Sequence, residues 1–275
     1  PMLALFCLGT ALAAEAVTSS ATASEAPTLD SSYPGLASAS LKQGRLAELP
    51  DGFLIRAGDV LISKKDLADE MARAQPKMRD QFSKNAFFVA EMLFTNRLLL
   101  HLAREDAIRS NRDISTADDE AIVQNFFEKQ LESVQVSDQE VADFYAANKA
   151  MFGGATLDAV KATLTRYLLG EKRGTFVNQY IDTLGQRTAI EVSASWVKDQ
   201  AVVARDNPVD KARMSGLPSL VDFGSKGCVP CDMMAPILEA LKTKYAGKAN
   251  IVVVLVTEEE ILSARYGVSS IPVQI

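Results

Sequence analysis

Val221-Asp222-Phe223-Gly224-Ser225-Lys226-Gly227-Cys228-Val229-Pro230-Cys231, read together with Ile271-Pro272 near the end of the chain, decides the fold. The apolar run over 220–223 predicts a buried strand, and a Gly-Ser-Lys-Gly bend follows it. Beyond the bend Met234, Ile237, Leu238, Leu241 and Tyr245 recur at helical spacing. Cys228 and Cys231 are therefore expected on the first turn of a helix that follows a central strand. A helix N-terminus offers free N–H groups and the positive end of the macrodipole, which favour a thiolate. A readily ionised thiol is the nucleophile in disulfide exchange, and a second cysteine one turn away is placed to resolve a mixed disulfide.

In order along the chain come a strand, Cys228-Val229-Pro230-Cys231, Pro236 a few residues into the helix, and Tyr266-Gly267-Val268-Ser269-Ser270-Ile271-Pro272. In this the sequence resembles the thioredoxin family, over roughly its last quarter. The resemblance implies a thioredoxin-like α/β fold and a cis Ile271-Pro272 bond lying against the cysteines, where the two residues shape a substrate groove. It implies a redox-active disulfide with no metal or organic cofactor. It also places Asp222 where the family has a buried carboxylate beneath the cysteines. An unpaired acid there could shuttle the proton of Cys231; the plainer reading is an acid tolerated at a strand end.

The sequence departs from the family at four points. Gly227 stands where Trp is common, Val229 replaces Gly between the cysteines, and Val273 replaces Thr after the proline. The chain also stops at Ile275, before the family's terminal hairpin and last helix. The expectation is a truncated domain, because a sheet ending there would leave an apolar edge. The family's usual lysine neighbour of the buried acid is missing, since 251–256 contains no Lys.

Two plainer readings of the cysteine pair are a structural staple and half of a zinc site. Closing so short a loop removes little unfolded-chain entropy. Zinc takes about four ligands, and after loss of Cys7 the chain offers two cysteines and the distant His101. The flanking pattern favours redox chemistry.

A length of 275 residues suggests about two domains with room for real cores. A net charge of −6, with no basic run, argues against a nucleic-acid partner. Residues 1–14 read as the core of a signal peptide with Ala11-x-Ala13 as its cleavage site, its basic n-region missing. Cleavage would leave Cys228 and Cys231 as the only thiols, which suits a periplasmic or otherwise exported protein. Residues 15–50, rich in Ala, Ser, Thr and Pro, read as a disordered linker.

Residues 51–196 read as a mostly α-helical domain. Two short strands surround Gly58, Ser63 caps the following helix, and Asn85 caps a helix over 86–109 whose apolar residues cover most of its circumference. Glu91, Arg97 and His101 argue against that helix crossing a membrane. His101 is read as a helix residue with a satisfied ring. Further helices are expected over 116–134, over 138–151 behind a Ser137-x-x-Glu140 capping box, and over 157–185, with a strand over 188–196.

Arg56-Ala57-Gly58-Asp59-Val60-Leu61-Ile62-Ser63-Lys64-Lys65-Asp66-Leu67 and Val136-Ser137-Asp138-Gln139-Glu140-Val141-Ala142-Asp143-Phe144-Tyr145 make this region similar to the N-terminal domain of SurA/parvulin-type chaperones. Only Phe152-Gly153-Gly154-Ala155 stands where that family often inserts a prolyl isomerase, so isomerase activity is not implied. Residues 197–275 form the thioredoxin-like domain, 197–206 being a connector or first strand and Thr257-x-x-Glu260 a capping box for its last helix.

Together these readings describe an exported thiol-disulfide oxidoreductase with a Cys228/Cys231 couple. Its expected partners are protein disulfide or dithiol substrates and an electron donor. The helical domain would bind unfolded clients or pair two copies. The competing reading is a periplasmic holdase in which the thioredoxin-like part only docks.

Overall fold

The computed structural model describes residues 26–275; the signal-peptide reading of 1–14 and Cys7 lie outside them. The chain runs through α1 (Leu29–Ser32), a 3-10 turn (Ser40–Gln43), β1 (Arg45–Ala47), β2 (Phe53–Ala57), β3 (Val60–Ser63) and α2 (Lys64–Arg73). It continues with α3 (Arg79–Lys84), α4 (Ala86–Arg109), α5 (Asp119–Leu131), α6 (Asp138–Ala147), α7 (Leu157–Arg187), β4 (Glu191–Ser193) and α8 (Ala194–Ala204). The last part holds α9 (Pro208–Met214), β5 (Ser219–Gly224), α10 (Val229–Lys244), β6 (Asn250–Leu255), α11 (Glu260–Arg265) and β7 (Val273–Gln274).

The first body is built on a small sheet in the order β1-β4-β2-β3, with α4 packed across it. Phe87, Val89, Ala90, Phe94 and Leu98 of α4 meet Leu54, Ile55, Ile62 and Val192 of the strands in one core. By length and composition α4 is the one helix among the described residues that could cross a membrane, and most of it is buried inside the protein. Its burial on several faces explains an apolar pattern wider than one stripe. Ser63 caps α2 as expected, in a capping box with Asp66 that the sequence reading does not include, and Ser137 forms the expected box with Glu140. Asn85 makes no such cap; its side-chain amide donates to the Gln81 carbonyl, closing α3 instead of opening α4.

The linker expected over 15–50 is not a linker in its described part. Leu29, Leu36 and Leu41 are fully buried in the core, and β1 adds to the sheet edge beside β4. The few large apolar groups suffice because Glu91 of α4 gathers the intervening backbone. Its carboxylate accepts from the N–H groups of Ser38, Ala39 and Leu41 and from the Ser38 hydroxyl. Burial pushes the Glu91 carboxyl up, and those donors oppose the shift.

The expected domain boundary at 196/197 lies inside α8. Residues 188–196 supply only the three-residue β4, and 197–206 are neither a connector nor a strand. Val197, Ala201 and Ala204 recur on one helical face and bury it against the first core, while Trp196 stacks on Phe87 at 5.5 Å.

The second body is a three-stranded sheet in the order β6-β5-β7. β5 and β6 pair in parallel, with α10 as the crossover between them, and β7 runs antiparallel to β5. Val221, Phe223 and Val254 pack with Val209 and Leu262 on one face; Cys231 and Leu238 of α10 are buried on the other.

The two bodies are joined by specific contacts. Gln81 of α3 donates to the Glu258 carbonyl (2.9 Å) and accepts from the Ile261 N–H (3.1 Å). The Thr257-x-x-Glu260 capping box is not formed; α11 starts after Glu259, and Gln81 instead takes the free N–H of Ile261 in its first turn. Arg265 donates to the carbonyls of Ala204 and Gly35, and Arg213 to that of Pro34.

Candidate active site

β5 carries the chain to Gly224, and residues 225–227 turn it into α10. Gly227 has φ 78°, a left-handed conformation that glycine adopts without strain, which accounts for its place directly before Cys228. Cys228 is the N-cap residue of α10 and Cys231 lies in its first turn. They form a disulfide with Cα atoms 5.2 Å apart. Cys228 is partly accessible and Cys231 is buried, because the helix turns the later sulfur toward the sheet. Pro230 occupies the first turn, where no N–H bond is lost, and Pro236 lies inside the helix, which continues past it to Lys244 at the loss of one backbone bond.

Val229 is 69% exposed between the cysteines. With Met233 and Ile237, also exposed, it leaves an apolar stripe beside the disulfide. Lys226 reaches Glu258 at 3.6 Å, so the turn before Cys228 approaches the residues that lead into α11.

Ile271-Pro272 is cis and immediately precedes β7. β7 pairs Val273 with Phe223 and Gln274 with Asp222. One further step of that register sets Pro272 opposite Gly224, the last strand residue before the cysteine turn. The structure thus brings Cys228, Cys231, Val229, Pro230, Ile271 and Pro272 to the same end of β5.

Asp222 is 3% exposed on the face toward α10. A methyl group placed on Gly224 would lie 3.4 Å from Asp222 Oδ2 and 3.5 Å from Cys231 Sγ, so carboxylate and buried sulfur converge on one point. The acid is not unpaired, as the sequence reading has it. Gln274 Nε2 donates to Asp222 Oδ1 at 2.5 Å and lies 3.3 Å from Met234 Sδ. Sequence reasoning passed over Gln274; its signal is a polar side chain two residues after Pro272, in register with an inward-facing strand position. His101 belongs to α4 of the first body and lies 3.4 Å from Glu105. Among the described residues no three His, Cys, Asp or Glu side chains converge so as to hold a metal.

On the opposite face of β5 a second polar cluster holds α9 to α11. Asp210, fully buried, accepts from Arg265, Arg213, Asn207 and the Tyr266 hydroxyl. Burial first, and the Asp210 charge second, push the Tyr266 phenol up to about 12. No local sequence pattern announces this cluster, whose members are scattered from 207 to 266.

Residues 202–275 match the family described as Thioredoxin. The thioredoxin of Haemophilus influenzae is 43% identical over 58 residues, which are 21% of this chain and 54% of that protein. Thioredoxin C-2 of Corynebacterium nephridii is 47% identical over 55 residues, 20% of this chain and 51% of its own. The thioredoxin of Staphylococcus saprophyticus is 44% identical over 71 residues, 26% of this chain and 67% of its own. The chain spans about half the length of the first two relatives and two thirds of the third.

Proposed function

We propose, from the premise that the chain belongs to the thioredoxin family through residues 202–275, that it is a thiol-disulfide oxidoreductase acting on protein disulfides or dithiols. The observation that carries this reading is the Cys228–Cys231 disulfide at the start of α10, with the first sulfur the more accessible and the second buried beside Asp222.

In the reducing direction the Cys228 thiolate attacks a substrate disulfide. A Cys228–substrate bond forms, the substrate S–S bond breaks, and one substrate sulfur leaves as a thiolate. Cys231 then loses its proton and attacks Cys228 Sγ. The internal disulfide forms and the second substrate sulfur departs, so two electrons pass from the protein to the substrate. Ile271 and Pro272, at the same end of β5, would hold the substrate segment beside the sulfurs, and the apolar stripe from Val229 would receive its side chains. A separate electron donor must restore the dithiol.

The test is trapping. Cys231→Ser should accumulate mixed disulfides with an unfolded, disulfide-bonded protein, and Cys228→Ser should not. Equal trapping by both variants, or by neither, would remove this reading.

The reading extends in two directions. Export to the periplasm is supported by the apolar run and the Ala11-x-Ala13 pattern near the N-terminus. A role for the helical body in holding clients, or in pairing two copies, is supported by its similarity in sequence to SurA-type chaperone domains. It is supported also by a cavity of ≈ 690 Å³ between α4 and α5, lined in part by Leu93, Leu99, Leu100 and Val123.

A further inference from the structure

Asp222 sits on the α10 face of the sheet with Oδ1 committed to a partner, while Oδ2 and Cys231 Sγ both border the space over Gly224. We propose that Gln274 is a positioning residue for the resolving step: its amide holds the Asp222 carboxylate turned so that the other oxygen can take the proton that Cys231 must lose. This rests on the oxidoreductase reading above.

The argument is geometric. Strand pairing fixes Gln274 opposite Asp222, and the amide N–H points at Oδ1, leaving Oδ2 on the side of Cys231 Sγ. A donor bonds more strongly to a carboxylate than to the neutral acid, so removal of the amide should be read in the pH profile of the step that uses this carboxylate. Competing charges are few among the described residues. β6 over Asn250–Leu255 has no ionisable side chain, and on α10 Asp232 is exposed. Asp210 and Arg265 accompany α9 and α11 on the other face, behind Val221 and Phe223. Among the described residues Gln274 is thus the one polar side chain bonded to the buried acid.

The reaction can be written with oxidised glutathione as the probe. Attack by the Cys228 thiolate forms a Cys228–glutathione bond and expels one glutathione thiolate. Cys231 then gives its proton to Asp222 and attacks Cys228 Sγ. The Cys228–Cys231 bond forms, the second glutathione leaves as a thiolate, and Asp222 returns the proton to solvent. Two electrons pass from the protein dithiol to the glutathione disulfide. Gln274 touches neither sulfur; it acts through Asp222.

The experiment is rapid mixing of the reduced full chain with excess oxidised glutathione across a pH series, following the two releases separately. It compares wild type, Gln274→Met, which keeps the shape and removes the donor, and Gln274→Lys, which restores one. In Gln274→Met the second release should slow about tenfold relative to the first on the acid side of the profile, and its acid limb should move to higher pH. In Gln274→Lys the limb should return toward that of wild type. An unchanged limb in Gln274→Met, or equal slowing of both releases, overturns the assignment and leaves the oxidoreductase reading intact. A limb shifted alike in both variants overturns it too, since loss of packing would then be the cause. Absence of the first release from wild type would overturn the oxidoreductase reading itself, and this assignment with it.

Discussion

Arg265 and Asp210 form an ion pair of 2.9 Å between Nη1 and Oδ2, with both side chains almost wholly withdrawn from water. The same guanidinium donates to the backbone of Ala204 and Gly35, so one side chain ties α9 and α11 to the first body. Breaking such a pair from one side leaves a buried charge short of its partner. Arg213 remains on the carboxylate, which limits the loss. Arg265→Met should cost about 3 kcal/mol of stability, at the low end for a broken buried pair. Urea unfolding measures it; a loss below about 1 kcal/mol would mean that Arg213 and Asn207 suffice for Asp210.

Tyr266 gives a dependence on alkaline pH. Its phenol is raised from 10.0 to about 12. The folded protein therefore keeps a proton that the unfolded chain loses, and the associated stability is complete below the unfolded value. It is lost as pH rises through the folded one. Thermal unfolding between pH 9 and pH 12 should show a decline that is shallower in Tyr266→Phe, although that variant starts lower for want of its bond to Asp210. Parallel declines in the two proteins would place the titrating group elsewhere.

The groove between α4 and α5 gives a test of client binding. Leu100 and Val123 line it and are only partly buried, so lysine at both positions should disturb the groove more than the core. Reduction of a large unfolded disulfide protein by Leu100→Lys/Val123→Lys should fall several-fold as local concentration is lost, and reduction of glutathione disulfide should not. Equal rates on the large substrate would separate the groove from catalysis.

The parts of this molecule legible in its sequence are those encoded by short-range pattern. The strand before Gly224, the turn at Gly227 and the helix after Cys228 follow from an apolar run, two glycines and residues at helical spacing. The illegible parts depend on distant partners. Residues 26–50 show no periodicity, and their order comes from Glu91, more than 50 positions from Ser38. The start of α11 is capped by Gln81, 180 positions away from Ile261, so the local Thr257 pattern misleads. Around Trp196 an alternating stretch and a helical stripe overlap, and packing against Phe87 favours the helix. In the site, Cys228, Cys231 and the Ile271-Pro272 segment are signalled by residue type and order. Gln274 becomes visible only once strand register sets it opposite Asp222.

The central claim is that Cys228 and Cys231 form a working redox couple and not a structural bridge. The reduction potential of the full chain, measured by equilibration with glutathione or dithiothreitol buffers, tests it most directly. A working couple should titrate as one two-electron step between about −270 and −120 mV, the range of thiol-disulfide oxidoreductases. A potential below about −300 mV, where structural disulfides lie, would contradict the account.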